Sequence, residues 1–169
     1  MTVEIRALAQ TDRRDEFHSG DEALDLYFHR YAGQNQFRHH IGVTYIAVEE
    51  ASILGFVTVC PASLDAEAIP SGRRLPPFPV PVLRVARLAV SESFQGCGVG
   101  KALLRFSIEL AEHMRDEIGC VGLLVDAKPD AEDFYLKFGF VSVEAMIGAG
   151  VGSSRTSPMY ISLGSVPPK

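Results

Sequence analysis

One feature constrains this chain more than any other: a glycine cluster that follows an apolar strand and opens an amphipathic helix. Val82 to Val90 is β-branched and apolar, and Gln95-Gly96-Cys97-Gly98-Val99-Gly100-Lys101 comes soon after. Val99, Leu103, Phe106, Leu110 and Met114 then recur on one stripe of a helix about 17 residues long. The first-turn N–H groups of such a helix have no intrahelical acceptor, and its dipole turns a positive end to the same spot. Glycine lets an anion approach the main chain without a Cβ in the way. The pattern predicts a phosphate cradle, although the same glycines would also serve a plain strand-to-helix turn.

Two phosphate loops can be set aside. A dinucleotide fingerprint needs G-x-G-x-x-G, and counting from Gly96 and Gly98 the third glycine position holds Lys101. A Walker loop needs G-x-x-x-x-G-K-[ST], which would put Gln95 at the first glycine and Ala102 at the hydroxyl. What remains is Gln95-x-x-Gly98-x-Gly100-Lys101-Ala102.

The other elements fall around this loop. Val3 to Leu8 predicts a strand, and Ser19-Gly20-Asp21-Glu22 fits a capping box that starts a helix over 20–32. Thr44 to Val48 and Ile53 to Cys60 predict an antiparallel hairpin. Prolines 61, 70, 76, 77, 79 and 81 predict a long stiffened loop over 61–81. After the long helix, stopped at Gly119, come a strand Val121 to Asp126 and a short helix Asp130 to Phe138 ending at Gly139. Phe140 to Val143 and Met159 to Leu163 predict a final strand pair joined by a Gly/Ser-rich loop. The fold class expected is α/β (α+β): one domain over 1–169 with a mixed central sheet, partly antiparallel, flanked by helices.

Composition narrows the function classes. Apolar residues make up 47% and charged residues 22%, and no apolar run approaches a membrane span. The start, Met1 to Arg6, has no secretory signal pattern, and three scattered cysteines (60, 97 and 120) fit neither a disulfide framework nor a zinc site. A cytoplasmic location is expected. His39-His40 has no further ligand at metal spacing and reads as an exposed helix end. The net charge of −5 disfavours nucleic acid, yet Arg73, Arg74, Arg84, Arg87, Lys101 and Arg105 share the stretch 73–105 with only one acidic residue, Glu92. These charges would equally suit solvated faces of separate elements.

Arg87-Leu88-Ala89-Val90 followed by Gln95-Gly96-Cys97-Gly98-Val99-Gly100-Lys101-Ala102-Leu103-Leu104 resembles the acetyl-CoA motif of GNAT acetyltransferases, Q/R-x-x-G-x-G/A after an apolar strand. Phe134-Tyr135-Leu136-Lys137-Phe138-Gly139-Phe140 is similar to that family's F-Y-x-x-x-G-F segment. The resemblance implies that Leu88, Ala89 and Val90 hold the pantetheine arm through the amides of Leu88 and Val90. It implies that the amides of Gln95, Gly96, Cys97, Gly98, Val99, Gly100 and Lys101 hold the pyrophosphate. It implies acetyl-CoA as co-substrate, no metal and no acetyl-enzyme, so Cys97 is not expected to act as a nucleophile. Tyr135 would be the proton donor to the leaving thiolate, a role its phenol suits by remaining protonated at neutral pH. Alone, Tyr135 would also suit packing between Phe134 and Phe138. No general base is assigned among Glu49, Glu50, Asp126 and the histidines; an α-amine with a pKa of about 8 is already partly neutral.

A narrower resemblance covers about residues 17 to 140. Phe17-His18-Ser19-Gly20-Asp21-Glu22-Ala23-Leu24-Asp25 is similar to the F-x-C/S-G-x-x-x-L-D opening of bacterial GNAT toxins, as are Tyr31 to Gln36 and the stretch around Leu75-Pro76 and Pro79 to Val82. That likeness implies acetylation of the α-amine of aminoacyl-tRNA, with Arg73, Arg74 and Arg87 as candidate tRNA contacts. It also implies a small ribbon–helix–helix antitoxin as partner; a homodimer is a further expectation. Two departures stand against it: those toxins are commonly basic, and the loop Gly148 to Ser154 has no counterpart in the motif set. Acetylation of a small amine, a peptide or a protein lysine remains the alternative, and an acetyl-CoA-binding module without catalysis a more remote one.

Overall fold

A β-branched and aromatic stretch, Val43–Glu49 (β2), turns through Glu50 and Ala51 and returns as Ser52–Leu64 (β3). Glu50 takes φ 55, the left-handed geometry that a two-residue hairpin turn requires. The computed structural model describes residues 2–69, 75–76, 78–143 and 156–165. Its other strands are Glu4–Ala7 (β1), Val80–Val90 (β4), Gly122–Ala127 (β5), Val141–Ser142 (β6) and Ser157–Ser162 (β7). They form a seven-stranded sheet in the order β1-β2-β3-β4-β5-β7-β6. The pairs β1–β2, β2–β3, β5–β7 and β6–β7 are antiparallel. The helices are Glu22–Leu26 (α1), Ala32–Phe37 (α2), Val99–Glu117 (α3) and Glu132–Phe138 (α4). This is the expected mixed sheet with flanking helices.

The chain divides into two compact units. The first comprises residues 1–60 and 85–107. Its core centres on Phe28, stacked on Phe56 with ring centroids 4.4 Å apart, and on Phe17, edge-on to both at 5.0 and 5.5 Å. Leu8, Tyr27, Ile46, Val48 and Ala89 close around these rings. The second unit comprises residues 61–84 and 108–169. Here Leu64, Val80, Val82, Leu124, Val143 and Tyr160 pack together, and the buried Tyr160 hydroxyl donates to the Val121 carbonyl at 3.1 Å.

Several expectations shift. The cap of α1 is Asp21, whose carboxylate accepts from the Leu24 amide at 3.1 Å, while Ser19 turns its hydroxyl to Asp25 instead. The helix expected to end near residue 32 runs on to Phe37 through a π turn at Tyr27–Tyr31. That extra residue lets Tyr27 and Phe28 both be buried before Ala32. On α3 the buried row is Val99, Leu103, Leu104, Ser107, Ile108 and Ala111, whereas Phe106, Leu110 and Met114 are half-buried. An apolar stripe alone misses this row because Ser107 lies in it, its hydroxyl satisfied by the Leu103 carbonyl at 2.9 Å.

The expected loop over 61–81 is shorter at both ends, since β3 continues to Leu64 and β4 begins at Val80. Pro61 is tolerated in a strand because β2 pairs with β3 only as far as Val59. Within that segment, residues 70–74 and 77 lie outside the described residues, as do the Gly/Ser loop 148–154 and with it any account of its role.

Candidate active site

The strand before the glycines, β4, turns alternate main-chain groups toward β3 at its end. Ser91 donates its amide to the Leu54 carbonyl on β3 at 2.8 Å, and the Ala89 carbonyl also faces β3, against Gly55. Main-chain groups alternate sides along a strand. The N–H and C=O groups of Leu88 and Val90 therefore point away from β3. The Val90 carbonyl accepts the Gln95 side-chain amide on that side, at 3.1 Å.

The loop itself is a chain of tight turns. A 3-10 turn over Glu92–Phe94 is followed by a bond from the Cys97 amide to the Phe94 carbonyl at 3.3 Å. Gly96 and Gly98 take φ 82 and 88, a conformation that side chains resist, and a Cβ on either would meet nothing within 4 Å. The glycines are thus demanded by backbone geometry, and the space beside them is open. The Ala102 amide makes the first helical bond, to the Gly98 carbonyl at 3.0 Å. The amides of Val99, Gly100 and Lys101 precede it in the first turn of a helix of 19 residues, where no intrahelical acceptor exists. Open amides, a positive helix end and the exposed Lys101 fit a pyrophosphate. The Cys97 amide is already engaged by the Phe94 carbonyl.

Tyr135 sits in the middle of α4. Gly139 ends that helix at φ 118, with its amide shared between the carbonyls of Tyr135 and Leu136 at 3.2 and 3.1 Å. The Tyr135 ring is only 4% exposed and meets Phe134 and Phe140 edge-on, with centroids 5.1 and 5.3 Å away. Phe138 packs on Phe140, with ring centroids 6.2 Å apart. Desolvation by burial pushes the phenol well above its ordinary value of 10.0, so it is a neutral hydrogen-bond donor throughout the physiological range.

The basic stretch proves divided. Arg84 is paired with Asp126, Nε to Oδ2 at 3.1 Å with a closer contact through Nη2, which engages both that cation and one of the candidate bases. The Arg87 guanidinium carbon lies over the ring of Tyr27, 4.1 Å from its centroid, a cation–π contact. Lys101 is exposed and Arg105 half-buried, both on α3; Arg73 and Arg74 lie outside the described residues. Glu49 ends β2 and Glu50 is exposed in the hairpin turn. His29 places Nε2 2.7 Å from the Phe17 carbonyl, and His39 and His40 stand exposed just after α2. Among the described residues no group of three His, Cys, Asp or Glu is placed to hold a metal ion, and no helix is long and apolar enough to cross a membrane.

Sequence reasoning passed over Asp25 and the side chain of Gln95. The Gln95 amide donates to the Ser19 carbonyl at 2.8 Å as well as to Val90, and Asp25 holds Ser19. The signal was present in the S-G-x-x-x-L-D spacing, which had no mechanical meaning until the contact with the loop was seen.

The family model described as the acetyltransferase (GNAT) domain matches residues 40–142. A tRNA-acetylating toxin of Mycobacterium tuberculosis (strain ATCC 25618 / H37Rv) is 34% identical over 137 residues, covering 80% of this chain and 82% of that protein. The structure of AtaT complexed with acetyl-methionyl-tRNAfMet superposes with a TM-score of 0.81 at 25% identity, over 97% of this chain and 96% of that one. The structure of AtaTR bound with AcCoA gives a TM-score of 0.77 at 26% identity, over 96% and 95%.

Proposed function

The chain belongs to the GNAT acetyltransferase family, and from that premise we propose that it moves the acetyl group of acetyl-CoA to the α-amine of aminoacyl-tRNA. The observation that carries the cofactor half is the row of first-turn amides without an intrahelical acceptor beside Gly96 and Gly98, just after β4. Leu88 and Val90 would hold the pantetheine arm as an added strand would, and the loop would hold the pyrophosphate. Acetyl-CoA supplies the activated acyl group when bound. The tRNA half rests on the 34% identical relative and on AtaT, whose structure holds acetyl-methionyl-tRNAfMet.

In this reading the amine nitrogen forms the new N–C bond, the C–S bond breaks, and the proton lost by nitrogen ends on sulfur. Tyr135 is the donor to the sulfur as negative charge develops there. Burial keeps its phenol protonated. Because that burial also makes complete transfer to a thiolate uphill, its contribution is a hydrogen bond that strengthens as the bond to sulfur breaks. No carboxylate is assigned as base. An aminoacyl ester lowers the pKa of its own amine, so a neutral nucleophile is available near pH 7 without one.

Arg87 is placed on the tRNA side of this proposal together with Arg73 and Arg74. In this proposal the whole chain acts as one acetyltransferase domain in the cytoplasm, where charged tRNA is found; the AtaT structure bound to the C-terminus of the antitoxin AtaR supports an antitoxin partner, and a ribbon–helix–helix type for it and a homodimeric enzyme are further parts of the proposal. The test is to offer purified protein labelled acetyl-CoA with charged tRNA, free amino acids, polyamines and peptides. Preferential labelling of charged tRNA is expected. Rapid labelling of a small amine or peptide, with charged tRNA untouched, would leave only the family.

A further inference from the structure

Ser19 and Asp25 lie far from the glycine loop in sequence, yet their segment is bonded to it at two adjacent peptides. We propose that residues Phe17 to Asp25 are a buttress that preorganises the acetyl-CoA loop, with Asp25 as its positioning residue. The inference rests on the acetyl-CoA reading of that loop.

The contacts form a short chain. Asp25 Oδ1 accepts from the Ser19 amide at 2.9 Å and from the Ser19 hydroxyl at 2.7 Å. This holds the Ser19 peptide in one orientation. The His18 carbonyl then accepts the Glu92 amide at 2.9 Å, and the Ser19 carbonyl accepts Gln95 Nε2 at 2.8 Å. The same Gln95 amide reaches the Val90 carbonyl, so one side chain joins the strand end, the loop and the buttress. Gly20 leaves this contact at φ 93, a backbone conformation that favours glycine. Phe17 anchors one end in the aromatic core and Leu24 packs against the same core from α1.

Each residue of the Phe17-x-Ser19-Gly20-x-x-x-Leu24-Asp25 pattern thus has a mechanical part. Phe17 anchors, Ser19 receives the loop, Gly20 turns, Leu24 packs, and Asp25 locks Ser19. The need for such a device follows from the loop's composition. Gly96, Gly98 and Gly100 give it more backbone freedom than other residues would, and ordering it on ligand binding costs affinity. Bonds at residues 92 and 95 remove part of that freedom beforehand. By linkage, a ligand on the loop must in turn stabilise the buttress.

Calorimetric titration with acetyl-CoA and hydrogen–deuterium exchange on the full chain test this. Asp25→Ala is expected to raise the acetyl-CoA Kd by roughly 5- to 20-fold, although Asp25 lies outside the cradle. Asp25→Asn keeps an acceptor oxygen and should restore most of the affinity. In the free Asp25→Ala protein the amides of 91–98 should exchange faster than in the wild type, and saturating acetyl-CoA should abolish the difference. An unchanged Kd, with faster exchange confined to the α1 region, would make Asp25 a helix-end residue only and overturn the proposal. If Asp25→Ala does not fold, Ser19→Ala decides: a Kd raised by less than that expected for Asp25→Ala supports the buttress, and an unchanged one overturns it. Failure of acetyl-CoA to bind the wild type at all would instead remove the cofactor reading, a separate outcome.

Discussion

Gly55 and Ala89 pass so closely that a Cβ on Gly55 would stand 2.9 Å from the Ala89 carbonyl oxygen. The same Cβ would be 3.1 Å from Leu103 Cδ1 and from Val99 Cγ1, both on the first turns of α3. At this point β3, β4 and α3 press on one another. Gly55→Ala must therefore move β4 or the start of α3, and is expected to cost about 1–3 kcal/mol of stability while weakening acetyl-CoA binding. Urea unfolding and calorimetry measure the two effects; a variant within about 0.5 kcal/mol of wild type would show that the contact relaxes freely.

The cradle predicts a second result. Gly98→Asp places a carboxylate where the phosphates would lie and forces an unfavourable φ, so acetyl-CoA affinity should fall by at least about tenfold. Gly98→Ala should cost less, because it brings strain without charge. Unchanged affinity in Gly98→Asp, with the fold intact by circular dichroism, would rule the cradle out.

Tyr135→Phe keeps the ring between Phe134 and Phe140 and removes only the hydroxyl. Acetyl-CoA binding should be retained and turnover should drop by about 10²–10⁴-fold. Near-wild-type turnover would return Tyr135 to packing alone.

Burial of Tyr135 also sets a pH dependence of stability. Its folded pKa lies above the ordinary 10.0, so below pH 10 the phenol is protonated in both states and contributes no slope. Above pH 10 the unfolded chain ionises first and binds fewer protons than the folded one, so stability falls as pH rises. Thermal melts between pH 9 and 11.5 should show this fall reduced in Tyr135→Phe but not abolished, because burial also raises Tyr45. Identical slopes in the two proteins would contradict the burial-driven shift.

Salt separates the two halves of the proposed reaction. Phosphate contacts to tRNA are screened steeply, so modification of charged tRNA should decline with salt faster than acetyl-CoA binding does. Charge reversal at Arg73 and Arg74 should hurt tRNA modification and spare cofactor affinity. Parallel salt curves, or loss of cofactor binding in the reversed variant, would count against a tRNA role for these arginines. Arg87 is a less clean probe, since it lies on β4 next to Leu88, a residue proposed to hold the pantetheine arm, and covers Tyr27.

The sequence by itself determined what local chemistry determines: which segments are strands and helices, where glycine must break them, and that an anion could meet a helix start after Val90. The Gly119 and Gly139 stops and the aromatic setting of Tyr135 were legible for the same reason, since each depends on residues a few positions apart. Tertiary structure alone decided the long-range matters. Arg84 loses its free charge to Asp126, Arg87 is taken up by Tyr27, Ser19 gives its hydroxyl to Asp25, and Gln95 reaches back to Ser19. A side chain chooses among partners by where the sheet and helices bring them, and spacing along the chain carries no such information. That is why a glycine turn opening a helix could be read from seven consecutive residues while the contact between Gln95 and Ser19 could not.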